Sequence, residues 1–144
     1  MSGYSGTPLA IKLGLRAGAR LFVHEPPAHY QELLAPLPAD VTTVARIDQA
    51  TDVIHVFATR RAPLERLLQR ARRGMRADAA LWVSWPKRAA RVATDITEDV
   101  VRELALPLGL VDVKVCAVDE VWSGLKLVVR RSERRAPTRP RVRR

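Results

Sequence analysis

VDVKVCAVDEVWSGLKLVVR, residues 111–130, decides how the rest of the chain is read. Val111, Val113, Val115 and Ala117 alternate with Asp112, Lys114, Cys116 and Val118. After a turn over residues 119–123, Leu125, Leu127 and Val129 alternate with Lys126, Val128 and Arg130. Alternation on both sides of a short turn predicts an antiparallel hairpin. Asp112, Lys114 and Lys126 then fall on its outer face as cross-strand charge pairs. Just upstream the period is helical. Val100, Val101, Leu104, Ala105 and Leu108 form one apolar stripe that stops at Gly109, and Asp95 with Glu98 reads as a capping box, with Thr97 as a competing cap.

Further toward the N-terminus, strands and helices alternate. Residues 79–85 and 52–58 are short apolar runs suited to strands buried on both faces. In the former, Trp82 and Trp85 are odd-spaced and should face opposite sides or diverge at the strand's end. Between the two runs, a helix starting near Pro63 and ending at Gly74 carries Leu64, Leu67, Leu68 and Ala71 on one face. Residues 41–47, with their threonines and Arg46, suit an edge strand. A short helix bearing Tyr30, Leu33 and Leu34 sits between proline pairs, behind a buried strand at residues 20–24. At the start, Thr7, Pro8 and Gly14 read as cap, first residue and stop of another short helix. The fold class is therefore α/β: a mainly parallel twisted sheet of about six strands, helices on both faces, and a C-terminal antiparallel hairpin.

With 144 residues and 47% apolar composition the chain is sized for one domain, expected over residues 1–131. No apolar run is long enough to span a membrane, and no charged segment leads into an apolar core of a secretory signal, so a cytoplasmic protein is expected. The single cysteine, Cys116, excludes an internal disulfide and a multi-cysteine metal site. The net charge of +10 is unevenly spread: residues 130–144 carry +7 and the preceding chain +3. Residues 132–144 lack periodicity and read as a disordered arginine-rich tail. Its Arg134, Arg135, Arg139, Arg141, Arg143 and Arg144 suit weak, non-specific attraction to nucleic acid, and no aromatic is interleaved for base stacking. Arginine outnumbers lysine 21 to 4, a skew that codon bias alone also produces.

Three segments resemble a short bacterial family of unknown function: SGYSGTPLAIKLGL at 2–15, LWVSWPKRA at 81–89, and TDITEDVVRELALPLGLVDVKVCAVDEVWSGLKLVVRR at 94–131. That family brings no assigned activity with it. The order of elements also resembles a class I methyltransferase core reduced by one strand–helix unit. This second resemblance implies that the last strand inserts antiparallel between its two predecessors. It also implies a glycine-rich turn after the first strand, where backbone approaches an S-adenosylmethionine cofactor, and an acid ending the second strand to hold the ribose. Here the first strand runs into His24, Glu25, Pro26, Pro27 and Ala28, no glycine occurs between Ala19 and Gly74, and Asp48 is the only local acid. Two prolines remove donors and fix φ where the turn needs freedom. No cofactor is expected.

In an open parallel sheet ligands collect at the C-terminal strand ends. Three such ends are polar: His24 with Glu25; Thr59, Arg60 and Arg61; and Ser84, Trp85 and Lys87. Arg60, Arg61 and Lys87 beside the helix near Pro63 form a candidate anion rim. His55, inside an apolar strand, reads as a hydrogen-bonded core histidine; with no third ligand in register, no metal is expected. Cys116 reads as packing, and Trp122 as a plug at the hairpin end of the core. Two functions fit this pattern. One is a non-enzymatic binding or interaction module, with a protein partner left unspecified. The other is a divergent S-adenosylmethionine-dependent methyltransferase, or another small enzyme, working at the rim of Glu25, Thr59 and Lys87.

Overall fold

The computed structural model describes residues 7–134. Six strands, β1 Arg20–His24, β2 Thr42–Val44, β3 Val53–Phe57, β4 Ala80–Pro86, β5 Leu110–Ala117 and β6 Trp122–Val129, form one sheet in the order β2-β1-β3-β4-β6-β5. The first four pair in parallel, and β6 lies antiparallel between β4 and β5. The last strand thus inserts between its predecessors, and the α/β architecture read from the sequence holds. β2 is an edge strand, as its threonines suggest.

Helices cover both faces. On one side α1 (Leu9–Leu13) and α2 (Tyr30–Leu34) bury Leu9, Leu13, Tyr30 and Leu34 against Val53, Phe57 and Trp82. On the other, α3 (Arg61–Gly74) and α4 (Glu98–Ala105) bury Leu64, Leu68, Val101 and Leu104 against Ile54, Val56, Leu81 and Trp85. Trp82 and Trp85 therefore do face opposite layers, as strand alternation demands. Trp82 is fully buried, and its indole N–H donates to the Leu13 carbonyl at 3.3 Å, tying α1 to the sheet.

Several details depart from the sequence reading. Pro8, rather than Thr7, is the N-cap of α1, while Gly14 closes it at φ 81° in the left-handed region. In α4 the cap is Thr97, whose hydroxyl accepts the Val100 amide at 3.2 Å; Asp95 is used elsewhere. The hairpin alternation breaks where the β5–β6 register shifts between Asp112 and Lys114. A bulge of this kind moves one residue out of the ladder, and Val113 and Val115 are left 54% and 53% exposed on the edge strand. The expected charge pairing on this hairpin is absent. Asp112 turns to Arg102 of α4 at 3.1 Å, and Lys114 stands opposite Lys126, like against like.

After β6 a 3-10 turn, Arg131–Glu133, folds back, and the Arg134 guanidinium donates to the Val129 carbonyl at 3.0 Å. The folded chain so continues past residue 131. Arg135, Arg139, Arg141, Arg143 and Arg144, with the rest of the expected tail, lie outside the described residues. No helix among the described residues is long and apolar enough to cross a membrane.

Candidate functional site at the C-terminal edge of the sheet

β1, β3 and β4 are neighbours, so the three polar strand ends share one edge. They do not share one pocket. His24, Glu25, Thr59 and Arg60 surround a cleft of about 220 Å³ floored by Phe57 and Leu64. It lies between β1 and β3, where the strand order reverses and open α/β sheets accept ligands. Its volume falls below the roughly 300 Å³ at which small-molecule pockets begin.

Arg61 is drawn away from that cleft. Its amide, the first of α3, donates to the Asp95 carboxylate at 2.6 Å, and its guanidinium pairs with Glu103 at 3.1 Å. The helix terminus proposed from sequence to hold an external anion is thus met by the chain's own carboxylate, which takes the first amide of α3 and faces the same dipole. Asp95 reaches this place because its loop is fastened to the end of β3. The Thr59 carbonyl accepts both the Thr94 hydroxyl at 2.7 Å and the Asp95 amide at 3.3 Å. Thr59 therefore acts through its backbone as an anchor.

A second, larger hollow of about 480 Å³ opens at the ends of β4 and β6. Trp85, Val92 and Ile96 supply apolar wall, Thr94, Thr97 and Ser123 supply hydroxyls, Lys87 and Arg88 supply positive charge, and the one acid, Glu98, is paired with Arg102. Neither cation forms a side-chain hydrogen bond or ion pair with a described residue. Arg88 and Ser123 carry no sequence signal for a site, and Thr97 reads from sequence only as a helix cap. Their signal lay in the pairing of β4 with β6, which sets Ser123 opposite Trp85.

Ser84, placed on the rim from sequence, is not there. It is fully buried, with its hydroxyl 2.8 Å from His55 Nε2, while His55 Nδ1 lies 2.8 Å from the Tyr30 hydroxyl. His55 is the hydrogen-bonded core histidine its strand implied. Burial pulls its pKa down to about 3 and pushes the Tyr30 phenol up, so this chain of three groups is neutral and sealed from solvent. Edge-on ring contacts of Phe57 with Tyr30 and with Trp122 close the layer above it, and Trp122 is the plug expected. Burial also pushes the Cys116 thiol up, the opposite of an activated nucleophile. Among the described residues no cluster of His, Cys, Asp or Glu is placed to hold a metal ion.

The residues do not fit an adenosyl cofactor in the manner the fold family implies. Glu25 sits at φ 52° where the glycine turn would begin, and Pro26 and Pro27 offer no amide donors. Asp48 does not end β2 at this edge. Its carboxylate accepts the Ala50 amide at 2.8 Å, in a loop that Gln49 pins to the Gly74 carbonyl at the opposite edge.

Solved structures of low sequence identity share the fold. A SAM-dependent methyltransferase from Aquifex aeolicus superposes with a TM-score of 0.58 at 13% identity, over 84% of this chain and 87% of its own. Magnesium protoporphyrin IX methyltransferase from Synechocystis PCC 6803, with SAM bound, gives 0.53 at 11% identity, over 83% and 74%. Fibrillarin from Aeropyrum pernix, with S-adenosylmethionine bound, gives 0.50 at 12%, over 83% and 73%. The chain thus has a class I methyltransferase-like, Rossmann-type fold. No family model and no curated protein matches the sequence, so the resemblance to a short bacterial family acquires no support from that side.

Proposed function

We propose that this chain is a small-ligand-binding module on a methyltransferase frame, and that its ligand occupies the hollow beside Trp85, Lys87 and Arg88. The observation that carries the reading is the contrast along one edge. The switch-point cleft is small and has no glycine turn beside it, whereas the adjoining hollow combines volume, an aromatic wall, hydroxyls and two cations without a side-chain partner among the described residues. That composition suits a compact aromatic or apolar body bearing a phosphate or carboxylate.

A second reading, a divergent S-adenosylmethionine-dependent methyltransferase, stands beside it. It is favoured by the near full-length match to the Aquifex enzyme, and requires Glu25 and the Thr59 strand end to hold the cofactor without a glycine turn.

Calorimetric titration of the full chain with S-adenosylmethionine and S-adenosylhomocysteine separates the two. Micromolar binding that disappears in Glu25→Ala establishes the second reading. Silence with both, together with quenching of tryptophan fluorescence by phenyl phosphate that Lys87→Ala abolishes, supports the first.

A further inference from the structure

A cavity larger than either of these lies at the other end of the sheet, away from both clefts of the candidate edge. It measures about 640 Å³, and its walls include the Gly14–Ala19 turn after α1, the starts of β3 and β4, and Lys126 of β6. Three cations reach it: Arg16, Arg76 and Lys126. Arg76 is saturated. It pairs with Asp52 at 2.6 Å and Asp78 at 2.6 Å, and donates to the Thr51 carbonyl at 3.0 Å. Asp52 is equally committed, its second oxygen accepting the Arg20 amide at 2.7 Å. Burial works against its charge, yet the Arg20 amide and the Arg76 guanidinium hold its carboxyl below the usual range. The acids of the cavity are therefore spent on Arg76.

Arg16 and Lys126 are left without an ion pair to any described residue. Lys126 is doubly unusual. It is half-buried on an inner strand, opposite the buried Trp82, and its other cross-strand neighbour is Lys114. Two like charges directly opposite on one sheet face destabilise the pair. In the turn that lines the cavity with Lys126, the amides of Arg16 and Ala17 donate to no backbone carbonyl among the described residues. We infer that this cavity binds a phosphate monoester, its dianion held by Arg16 and Lys126 and its organic body lying along Leu13, Val53 and Ala80. Two cations that line one cavity without an ion pair to a described residue match a dianion, charge-assisted hydrogen bonds supply the hold, and the volume lies within the range of small-ligand pockets.

The test is titration of the full chain, in the Lys87→Ala background so that the opposite edge does not contribute, with glycerol phosphate, inorganic phosphate and a short single-stranded RNA. Saturable binding of both small phosphates is expected, weakened about tenfold by Lys126→Gln and by Arg16→Gln. Lys126→Gln should also leave the ligand-free melting temperature unchanged or higher, because it removes a repulsion, while cancelling the rise that phosphate produces. Absence of saturable binding, or binding that survives both substitutions, overturns the inference. So does RNA binding through Lys126 with both small phosphates silent.

Discussion

Asp95 accepts the amide of Arg61 at 2.6 Å, across 34 residues of chain. The acid that reads as the cap of α4 is the cap of α3, and it joins the loop after β4 to the helix after β3. Replacing it with alanine frees the first amide of α3 and removes a negative charge from the helix N-terminus. A loss of about 1 kcal/mol of stability is expected, read by urea denaturation, with Asp95→Asn recovering much of it. An unchanged midpoint in Asp95→Ala would show that solvent serves the helix equally well.

The Tyr30–His55–Ser84 chain makes stability depend on pH in a fixed direction. Burial holds His55 at about 3, against 6.5 for an ordinary histidine. Between those values the unfolded chain takes up a proton that the folded chain refuses. This contribution is complete above pH 6.5 and is lost as pH falls toward 3, at up to about 1.4 kcal/mol per pH unit. Denaturation curves collected across that window should show the loss, and His55→Gln should flatten it. A wild-type slope no steeper than the variant's would mean that the histidine is open to water.

Ser84→Ala tests the same chain at neutral pH. It leaves one imidazole nitrogen of a fully buried histidine without its 2.8 Å partner, at a cost of about 1–3 kcal/mol. Were Ser84 a rim residue, the substitution would leave the denaturation midpoint almost unmoved.

Gly124 is closely packed on its Cβ side. A Cβ there would lie 3.3 Å from both Cys116 Sγ and Val118 Cγ2, and 3.5 Å from Ser84 Oγ. Gly124→Ala should therefore destabilise the chain by about 1–3 kcal/mol through overpacking between β4 and β5. Thermal melts of Gly124→Ala alone and combined with Cys116→Ala decide it. Partial recovery in the double variant is expected, since the second change frees the space the methyl needs.

The arginines beyond Arg134 are proposed as a polyanion-binding element. A chain ending at Arg134 keeps the turn that Arg134 fastens to Val129 and removes the rest. RNA affinity of the full chain should exceed that of the shortened one at low salt, and the gap should close as salt rises, with log K falling about 0.7 per log unit of salt for each phosphate neutralised. Equal affinities at low salt would dismiss the tail.

What was legible in the residues was whatever depends on near neighbours. The period of Leu64, Leu67, Leu68 and Ala71, the alternation in residues 111–129 and the prolines around Tyr30 each declare an element, because helix and strand periodicity is a local property of the chain. The His55 environment was legible for the same reason, since a histidine inside VIHVF must find buried partners. The site was less so. His24, Glu25, Thr59 and Arg60 do meet, whereas Ser84 turns inward: the fifth residue of seven in β4 takes its side from the pleat, and only the pairing with β3 and β6 says which side is sealed.

By itself the sequence determined the elements, their order and hence an α/β sheet with a terminal hairpin, since these follow from patterns a few residues long. Tertiary structure alone decided which partner each polar group takes. Asp95 goes to Arg61, Asp112 to Arg102, Arg76 to Asp52, and Lys126 is left facing Lys114. Such pairings join residues from about ten to more than thirty positions apart, as their bonds record, and each is fixed by strand register and loop path rather than by any local pattern. Hollows and unpaired charges are what remains when those pairings are complete, so the places where this chain can bind something emerge only once it is folded.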